Sequence, residues 1–175
     1  MKAKVVAVVG TKKSGKTTTT ENLIRELTKK GYKVAAIKHV SEPKFSIDTP
    51  GKDTWRFSQA GAKPIVSIAA NEIATIEKIP IDEVKMEGLL RKCTGNDVVL
   101  IEGFKKRLSK MRKIQKIVVV KSRQEAVNAF ETYEPILAFS GPYNTESVSS
   151  KIVYVDALKN PEKLVAIIEE KLLKK

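Results

Sequence analysis

The chain has little sulfur, few aromatic side chains and no long apolar run. Its 175 residues include one cysteine, one histidine and one tryptophan, and aromatic residues make up 6% of the sequence. The single cysteine, Cys93, excludes a disulfide within the chain, and with His39 as the only histidine a zinc-ligand constellation is excluded as well. No apolar run approaches the length of a membrane span, and no signal-peptide pattern precedes the first apolar segment. We therefore expect a cytoplasmic protein with no membrane partner.

Acidic residues are few relative to basic ones. The sequence has 33 lysines and arginines against 20 aspartates and glutamates, which gives a formal net charge of +13. Between Glu102 and Glu125 there are nine basic residues and no acidic one: Lys105, Lys106, Arg107, Lys110, Arg112, Lys113, Lys116, Lys121 and Arg123. This concentration favours an anionic ligand or partner, and a solvated loop explains it equally well. Because only Phe104 among the aromatics lies nearby, a base-stacking surface for nucleic acid is not expected.

The most informative stretch is the octapeptide from Gly10 to Thr17, Gly-Thr-Lys-Lys-Ser-Gly-Lys-Thr. It follows the apolar run 5–9 and precedes a segment, 18–30, whose apolar residues recur at helical spacing. Strand, glycine loop and helix in this order match the phosphate-binding loop, Gly-x4-Gly-Lys-Thr. The alternative is a strand-to-helix turn that matches by chance. Two glycines, a lysine and a hydroxyl residue at fixed spacing favour the phosphate-binding loop.

The residue types of this loop suit a polyphosphate ligand. Gly10 and Gly15 allow backbone conformations that a Cβ would forbid, so successive N–H groups can turn inward around a phosphate. The helix that follows presents its own unpaired N–H groups and its positive dipole end to the same anion. We expect Lys16 to reach the β and γ phosphates and the hydroxyl of Thr17 to ligate Mg²⁺.

A second candidate residue, Glu102, ends the apolar run Asp-Val-Val-Leu-Ile-Glu at 97–102. A continuous apolar strand that ends in an acid is typical of a buried parallel strand, which delivers the acid to the carboxyl edge of its sheet. In phosphate-loop proteins such an acid, usually an aspartate, holds Mg²⁺. The alternative is an ordinary strand-end carboxylate. With the loop already in the sequence, we predict an Mg²⁺ role for Glu102, whose longer side chain could act through a water or help to position one.

The remaining apolar segments predict the rest of the fold. Predicted strands cover residues 32–38, 114–121, 136–139 and 151–155, and predicted helices cover 53–60, 81–92, 122–131 and 161–172. Asp53 or Thr54 is the expected cap of the helix at 53–60. Two short runs, 64–69 and 72–77, predict a strand pair that could be antiparallel. Alternating strands and helices predict one domain over 1–175, an α/β fold of the P-loop NTPase type with a mainly parallel twisted sheet and helices on both faces.

The segment 39–52 is long for a connection in an α/β domain, and long loops beside phosphate sites are often functional. It contains Asp-Thr-Pro-Gly at 48–51, which spells the Asp-x-x-Gly found in many GTPases. In those proteins the motif follows a strongly apolar strand, whereas 44–47 is a poor one, so a turn is the stronger interpretation. The sequence has no Asn-Lys-x-Asp motif that would read guanine. The residues alone therefore leave guanine and adenine undecided.

Several further segments together resemble one family, the molybdopterin-guanine dinucleotide biosynthesis adapter proteins, commonly called MobB. They are Ile-Lys-His at 37–39, Pro-Gly-Lys-Asp-Thr at 50–54, Ala-Gly-Ala at 60–62, Val-Leu-Ile-Glu-Gly-Phe-Lys at 99–105 and Lys-Ile-Val at 116–118. The resemblance runs in order from the first strand to the final helix. The phosphate loop is shared with a vast superfamily, whereas Pro-Gly-Lys-Asp and Glu-Gly-Phe-Lys are much more specific.

The resemblance implies a GTP-binding protein with weak GTPase activity, usually a homodimer, which assists the molybdenum cofactor guanylyltransferase that joins GMP to molybdopterin. Lys16 and Glu102 would be the catalytic residues, and Thr17 and Glu102 would hold Mg²⁺. Lys38 and His39 would belong to the loop that faces the nucleotide. The nucleotide-binding residues would be Gly10, Thr11, Lys12, Lys13, Ser14, Gly15, Lys16, Thr17, Thr18, Asp48, Lys52 and Asp53.

The basic segment, which we define as Lys105 to Arg123, then has a candidate ligand. This is the phosphate of molybdopterin or an acidic patch of the partner enzyme. The chain departs from the family pattern just after His39, because Val40, Ser41 and Glu42 stand where family members often carry more histidines.

Two other functions are compatible with the same residues. A small-molecule or nucleoside kinase using ATP or GTP would need the same loop, the same acid and a basic lid-like segment. A nucleic-acid-associated NTPase rests on charge alone. For hydrolysis, the sequence shows no evident water-orienting glutamine or arginine finger, so we predict slow turnover.

Overall fold

A computed structural model describes residues 3–109, 111–142 and 152–174. The chain divides into two compact units. The larger unit is formed by Met1–His39 and Leu90–Lys175, and the smaller unit by Val40–Leu89. One domain over residues 1–175 stays a prediction.

The described residues form seven strands and six α-helices. The strands are β1 (Lys4–Gly10), β2 (Val34–Lys38), β3 (Ile65–Ile68), β4 (Ile73–Ile76), β5 (Val98–Glu102), β6 (Gln115–Val119) and β7 (Ile136–Ser140). The helices are α1 (Lys16–Lys29), α2 (Asp53–Gln59), α3 (Met86–Lys92), α4 (Lys105–Leu108), α5 (Arg123–Thr132) and α6 (Pro161–Ile168). A π-helical segment, Glu169–Leu173, follows α6. None of the helices in the described part of the chain is long and apolar enough to span a bilayer.

Five strands of the larger unit form one parallel sheet in the order β2-β5-β1-β6-β7. The register aligns the ends of the central strands, because Glu102 pairs with Val8 on one side and Lys38 on the other, and Gly10 pairs with Val119. Since the carboxyl ends of parallel strands meet at one edge, Lys38, Glu102 and the loop after Gly10 come together there. The predicted, mainly parallel α/β sheet is confirmed.

The core of the larger unit forms on this sheet because its strands are apolar along most of their length. On one face, Val8 and Leu100 are fully buried in a cluster with Leu23 of α1 and Leu164 of α6. Alternation along β1 turns Ala7 to the opposite face, where it is fully buried as well. Strands buried on both faces are typical of parallel sheets covered by helices.

Helix α1 follows the glycine loop directly. It begins at Lys16, slightly before the predicted range 18–30, and Gly15 precedes it in a left-handed conformation with φ of 96°. Gly31, with φ of 87°, ends the helix, and its N–H donates to the carbonyl oxygen of Thr28. The predicted order of strand, glycine loop and helix is confirmed.

The smaller unit contains the predicted strand pair. β3 and β4 lie inside the runs 64–69 and 72–77 and pair antiparallel. The N–H of Ala69 donates to the carbonyl oxygen of Glu72 across the connecting turn. The antiparallel arrangement that the sequence left open is therefore present.

Helix α2 matches the prediction in extent but not in its cap. It covers Asp53–Gln59, and Lys52 precedes it without any side-chain capping hydrogen bond. The predicted cap by Asp53 or Thr54 is wrong, because Asp53 lies inside the helix and the hydroxyl of Thr54 donates to Oδ1 of Asp48 instead.

Three other predicted elements differ from the structure. The helix expected at 81–92 begins only at Met86, because the N–H groups of Glu83 and Val84 donate to Pro80 and Ile81 in tight turns. The helix expected at 161–172 is α6 followed by the π-helical segment. Of the strand expected at 151–155, residue 151 lies outside the described residues. The rest forms one parallel bridge between Tyr154 and Phe139.

Candidate nucleotide-binding site

The glycine loop between β1 and α1 is packed tightly against the end of β6. Gly10 has φ of 153°, and a Cβ at this position would lie 2.2 Å from the carbonyl oxygen of Val119 and 2.9 Å from Oγ of Ser14. Lys13 also has a positive φ, 59°. Only glycine fits at the first position, so the loop pattern reflects a steric requirement of this fold. Oγ of Ser14 is buried without a hydrogen-bond partner, which leaves a polar atom for a ligand in the loop.

Lys16 folds back across the loop. Its ammonium donates to the carbonyl oxygen of Thr11. Burial lowers the pKa of Lys16, Glu102 opposes this effect, and the positive charges of Lys38 and Lys121 add to the lowering. A bound anion would reverse the shift by favouring the charged lysine. This environment suits a phosphate ligand.

Thr17, Glu102 and Lys38 form a contact cluster at the edge of the sheet. The hydroxyl of Thr17 donates to Oε1 of Glu102 over 3.0 Å. The ammonium of Lys38 lies 3.3 Å from Oε2 of Glu102 and 3.2 Å from Oγ1 of Thr17. Glu102 is only 9% exposed. The structure thus brings the two predicted metal ligands together and adds a lysine from the neighbouring strand.

The donor set fits Mg²⁺ bound together with phosphate. A hydroxyl and a carboxylate are oxygen ligands of the kind Mg²⁺ takes, and the ion usually completes its shell with substrate phosphates and water. In the described parts of the chain, no group of three or more His, Cys, Asp or Glu side chains could hold a metal ion. A metal at Thr17 and Glu102 would therefore take its remaining oxygen ligands from water or from the nucleotide.

His39 and Phe104 connect the segments that follow β2 and β5. Their rings stack with centroids 4.4 Å apart, and the N–H of His39 donates to the carbonyl oxygen of Glu102. Gly103 lies between them, and a Cβ there would lie 3.1 Å from Cβ of His39. The Lys-His and Glu-Gly-Phe segments, on which the family resemblance depends, are thus in direct contact.

Glu125 belongs to this region and was not predicted. It accepts a hydrogen bond from the hydroxyl of Thr11 at 3.1 Å and from the backbone N–H of Lys121 at 2.8 Å. Its own N–H donates to Oγ of Ser122, the N-cap of α5. The spacing Ser-x-x-Glu at 122–125 is the signature of a capping box and could have identified this residue. Glu125 joins the phosphate loop to the start of α5.

A cavity of 140 Å³ adjoins the same part of the loop. It is lined by Gly10 and Thr11 and also by Lys105, Glu125 and Tyr133. The hydroxyl of Tyr133 is buried without a hydrogen-bond partner, and burial raises its pKa to about 12.

Three predicted nucleotide-binding residues, Asp48, Lys52 and Asp53, lie in the smaller unit. Asp48 is 4% exposed, accepts the hydrogen bond of Thr54 at 2.7 Å and lies 3.4 Å from the ammonium of Lys78. Lys52 and Asp53 are exposed at the start of α2. Their role in nucleotide binding stays a prediction, as does that of the exposed residues Lys12 and Lys13 in the loop and Thr18 in the first turn of α1.

The basic segment does not form a uniform charged surface. Lys116 is fully buried, and its ammonium donates to the carbonyl oxygens of Met111 and Glu134 at 2.7 and 2.6 Å. Burial lowers its pKa, against the attraction of Glu134. Arg112 pairs with the carboxylate of Glu134 at 3.1 Å. Lys105 and Lys106 are exposed on α4, and Lys110 lies outside the described residues.

The parallel sheet and the glycine loop between β1 and α1 define an α/β protein of the P-loop NTPase fold. A family model described as molybdopterin guanine dinucleotide synthesis protein B matches residues 5–140. The chain therefore belongs to the MobB family.

Individual relatives agree with this membership. A molybdopterin-guanine dinucleotide biosynthesis adapter protein of Haemophilus influenzae is 33% identical over 145 residues, which cover 81% of this chain and 76% of that protein. A protein of Methanocaldococcus jannaschii described as a putative molybdopterin-guanine dinucleotide biosynthesis adapter protein is 32% identical over 157 residues, which cover 89% of this chain and 62% of that protein. The chain thus spans less than two thirds of the length of that relative. The crystal structure of Bacillus subtilis MobB aligns with a TM-score of 0.70 at 25% identity and covers 94% of this chain and 97% of its own.

Proposed function

We propose that this chain is a GTP-binding adapter in the biosynthesis of the molybdopterin guanine dinucleotide cofactor. It assists the guanylyltransferase that joins GMP to molybdopterin, and it hydrolyses GTP slowly. Family membership and the adapter names of its relatives support the pathway. The observation that carries nucleotide binding is the meeting of Thr17 and Glu102, 3.0 Å apart, beside the loop that holds Lys16.

Different residues of the site would bind the phosphates and the metal ion. The loop N–H groups and Lys16 bind the phosphates, and Thr17 and Glu102 would hold Mg²⁺. When bound, the metal supplies positive charge against the phosphate oxygens. Lys16, partly desolvated by burial, offers a charge that is weakly screened by water. These groups would stabilise the negative charge on the phosphate oxygens, but none of them activates a water molecule. Slow hydrolysis of GTP is therefore expected.

The first experiment is a titration with GTP and with ATP in the presence of Mg²⁺, followed by the fluorescence of Trp55, the only tryptophan. We expect selective binding of GTP and little hydrolysis. Preference for ATP, or rapid turnover once small hydroxylated acceptors are added, would overturn the adapter function in favour of a kinase.

A matched pair of variants tests the assignment of the loop. Lys16→Ala should weaken nucleotide binding about a hundredfold, because a charge-assisted contact to phosphate is lost in a partly buried site. Lys33→Ala, at an exposed lysine just before β2, should change the affinity little. Equal affinities of both variants, measured by equilibrium titration, would contradict nucleotide binding by this loop.

We also propose that the chain is a homodimer that pairs through the β3–β4 hairpin. The register places Val66, Ile68 and Ile73 on one face of the hairpin, and they are 55, 74 and 71% exposed. A contiguous apolar face of this kind marks an interaction site in soluble proteins, and a symmetric pair of copies would cover it.

We propose that exposed lysines of the basic segment, such as Lys105 and Lys106 of α4, meet the phosphate of molybdopterin or the partner enzyme. The buried, free thiol of Cys93 and the proposed GTP ligand fit a cytoplasmic protein.

A further inference from the structure

The ammonium of Lys38 lies against the two oxygen atoms that would bind Mg²⁺. It is 3.2 Å from Oγ1 of Thr17 and 3.3 Å from Oε2 of Glu102, and those two residues also bond to each other. The position follows from the backbone, because Lys38 and Glu102 are register partners at the ends of adjacent parallel strands. A lysine at this point is therefore directed to the carboxylate by the strand pairing.

The two members of this ion pair differ in their exposure to solvent. The side chain of Glu102 is 12% exposed, whereas that of Lys38 is 54% exposed. A carboxylate so little hydrated is stabilised by a nearby cation. The lysine can leave at small cost, because its long side chain is half in solvent. The carboxylate is thus buried, whereas the lysine has solvent beside it into which its side chain can turn.

We propose that Lys38 is a placeholder for the divalent cation. It neutralises Glu102 when Mg²⁺ is not bound, and Mg²⁺ displaces it when it binds to Thr17 and Glu102. The two cations exclude each other because they would share the same oxygens and repel at contact distance. The inference rests on the proposed function, since it concerns the same nucleotide site, and it makes metal binding a competition within the protein.

The test uses Mn²⁺ alone as the probe, with free Mn²⁺ measured by electron paramagnetic resonance and no nucleotide present. Lys38→Met should tighten Mn²⁺ binding about two- to fivefold, the effect expected for loss of a half-exposed ion pair. Lys38→Arg keeps the competing charge and should stay close to the parent protein. Lys33→Met removes a positive charge at an exposed position outside the cluster and should have no measurable effect.

Either of two results would overturn the inference. Equal Mn²⁺ affinities in Lys38→Met and the parent protein would show that Lys38 does not compete. An equal gain in Lys33→Met would show that only the overall charge matters.

Thermal unfolding provides a second test of the pairing between Lys38 and Glu102. In EDTA, Lys38→Met should lower the Tm by leaving Glu102 unpaired, and adding Glu102→Gln to that variant should restore most of the loss. Strictly additive changes in Tm would contradict the pairing. Both measurements work without GTP. A parent protein that binds Mn²⁺ in this manner but binds no GTP would therefore refute the proposed function and leave the placeholder role of Lys38 standing.

Titrating a fluorescent GTP analogue at a series of Mg²⁺ concentrations then extends the test to the nucleotide. Lys38→Met should reach half-maximal Mg²⁺ stimulation at about two- to fivefold less Mg²⁺. Equal weakening of GTP binding in EDTA and in Mg²⁺, with the Mg²⁺ midpoint unchanged, would make Lys38 a phosphate ligand and overturn the placeholder role.

Discussion

The two units of the chain bury their apolar residues to very different extents. In the larger unit, all five residues of β5 are buried, and the neighbouring strand β1 is buried through most of its length. In the smaller unit, only Asp48, Ile65 and Met86 are buried among residues 40–89. Large apolar side chains such as Ile47 and Ile68 are 86 and 74% exposed there. The larger unit thus builds its own core, whereas the smaller unit leaves much of its apolar surface exposed, as the proposed dimer interface would require.

The largest contrast should come from truncating one apolar residue in each unit. Leu100→Ala should lower the free energy of unfolding by about 2–5 kcal/mol, because it leaves a cavity in a fully buried cluster. Ile68→Ser should change it by less than about 0.5 kcal/mol in the monomer, since the side chain is mostly solvated. Denaturant unfolding measures both values.

The same Ile68→Ser variant should be monomeric by sedimentation if the hairpin forms the proposed dimer interface. A variant that stays dimeric would show that the exposed face of the hairpin is not the contact between copies. A large loss of monomer stability would instead show that the smaller unit depends on Ile68 for its own fold.

A second contrast concerns two glycines with positive φ. Gly10→Ala should cost about 3 kcal/mol or more, because the added Cβ would overlap the carbonyl oxygen of Val119 at 2.2 Å. Gly51→Ala in the smaller unit should cost only about 1 kcal/mol from backbone strain, since nothing lies within 4 Å of its Cβ position. Thermal unfolding of the two variants side by side measures the difference. Similar costs would mean that the loop adapts to the extra methyl group.

The smallest single effects are expected at two buried polar groups. Tyr133→Phe in the larger unit should raise stability by about 1 kcal/mol at pH 7, because it removes a hydroxyl without a partner. Asp48→Ala in the smaller unit should lower it by about 1–2 kcal/mol, because Thr54 loses its hydrogen-bond acceptor and Lys78 loses its ion-pair partner.

The pH dependence of Tyr133→Phe adds a check with a definite sign. Burial raises the pKa of Tyr133 to about 12, above the value of about 10 for an unfolded tyrosine. The folded state therefore keeps the proton that the unfolded state loses, and the parent protein should lose stability between about pH 10 and pH 12. The variant should lack this part of the loss. The free energy of unfolding, measured in urea at several pH values, gives this loss for both proteins. An identical decrease with pH in the variant and the parent protein would show that the hydroxyl is solvated.

Much of the fold could be predicted from short-range patterns. Two glycines, Lys16 and Thr17 at fixed spacing predicted the loop, and the apolar run up to Glu102 predicted a buried strand that ends at the same edge. The hairpin followed from two short apolar runs around a turn. These signals are local, because apolar periodicity and backbone freedom act over a few residues. Where local turns competed, as before α3, the predicted boundary was wrong.

The contacts that connect distant residues could not be predicted in this way. Lys116 looked like one more cation of the basic segment, but it lies in β6 and bonds to the backbone carbonyl oxygens of Met111 and Glu134. Glu125 looked like a helix residue, but it holds the hydroxyl of Thr11 across a separation of 114 residues. Both roles depend on which strands are neighbours in the sheet. Strand order cannot be predicted from a pattern that extends over only a few residues.

The sequence by itself determined the proposed class of ligand and the loop residues that would meet it, because phosphate binding requires glycines, a lysine and a hydroxyl in one contiguous loop. Only the tertiary structure decided which charged side chain lies beside the proposed metal ligands. By placing β2 beside β5, the sheet sets Lys38 against Glu102 and Thr17, and no spacing along the chain could show that pairing. The physical reason is that the energy of a buried charge depends on its neighbours in space, whereas the loop's chemistry depends on its neighbours in sequence.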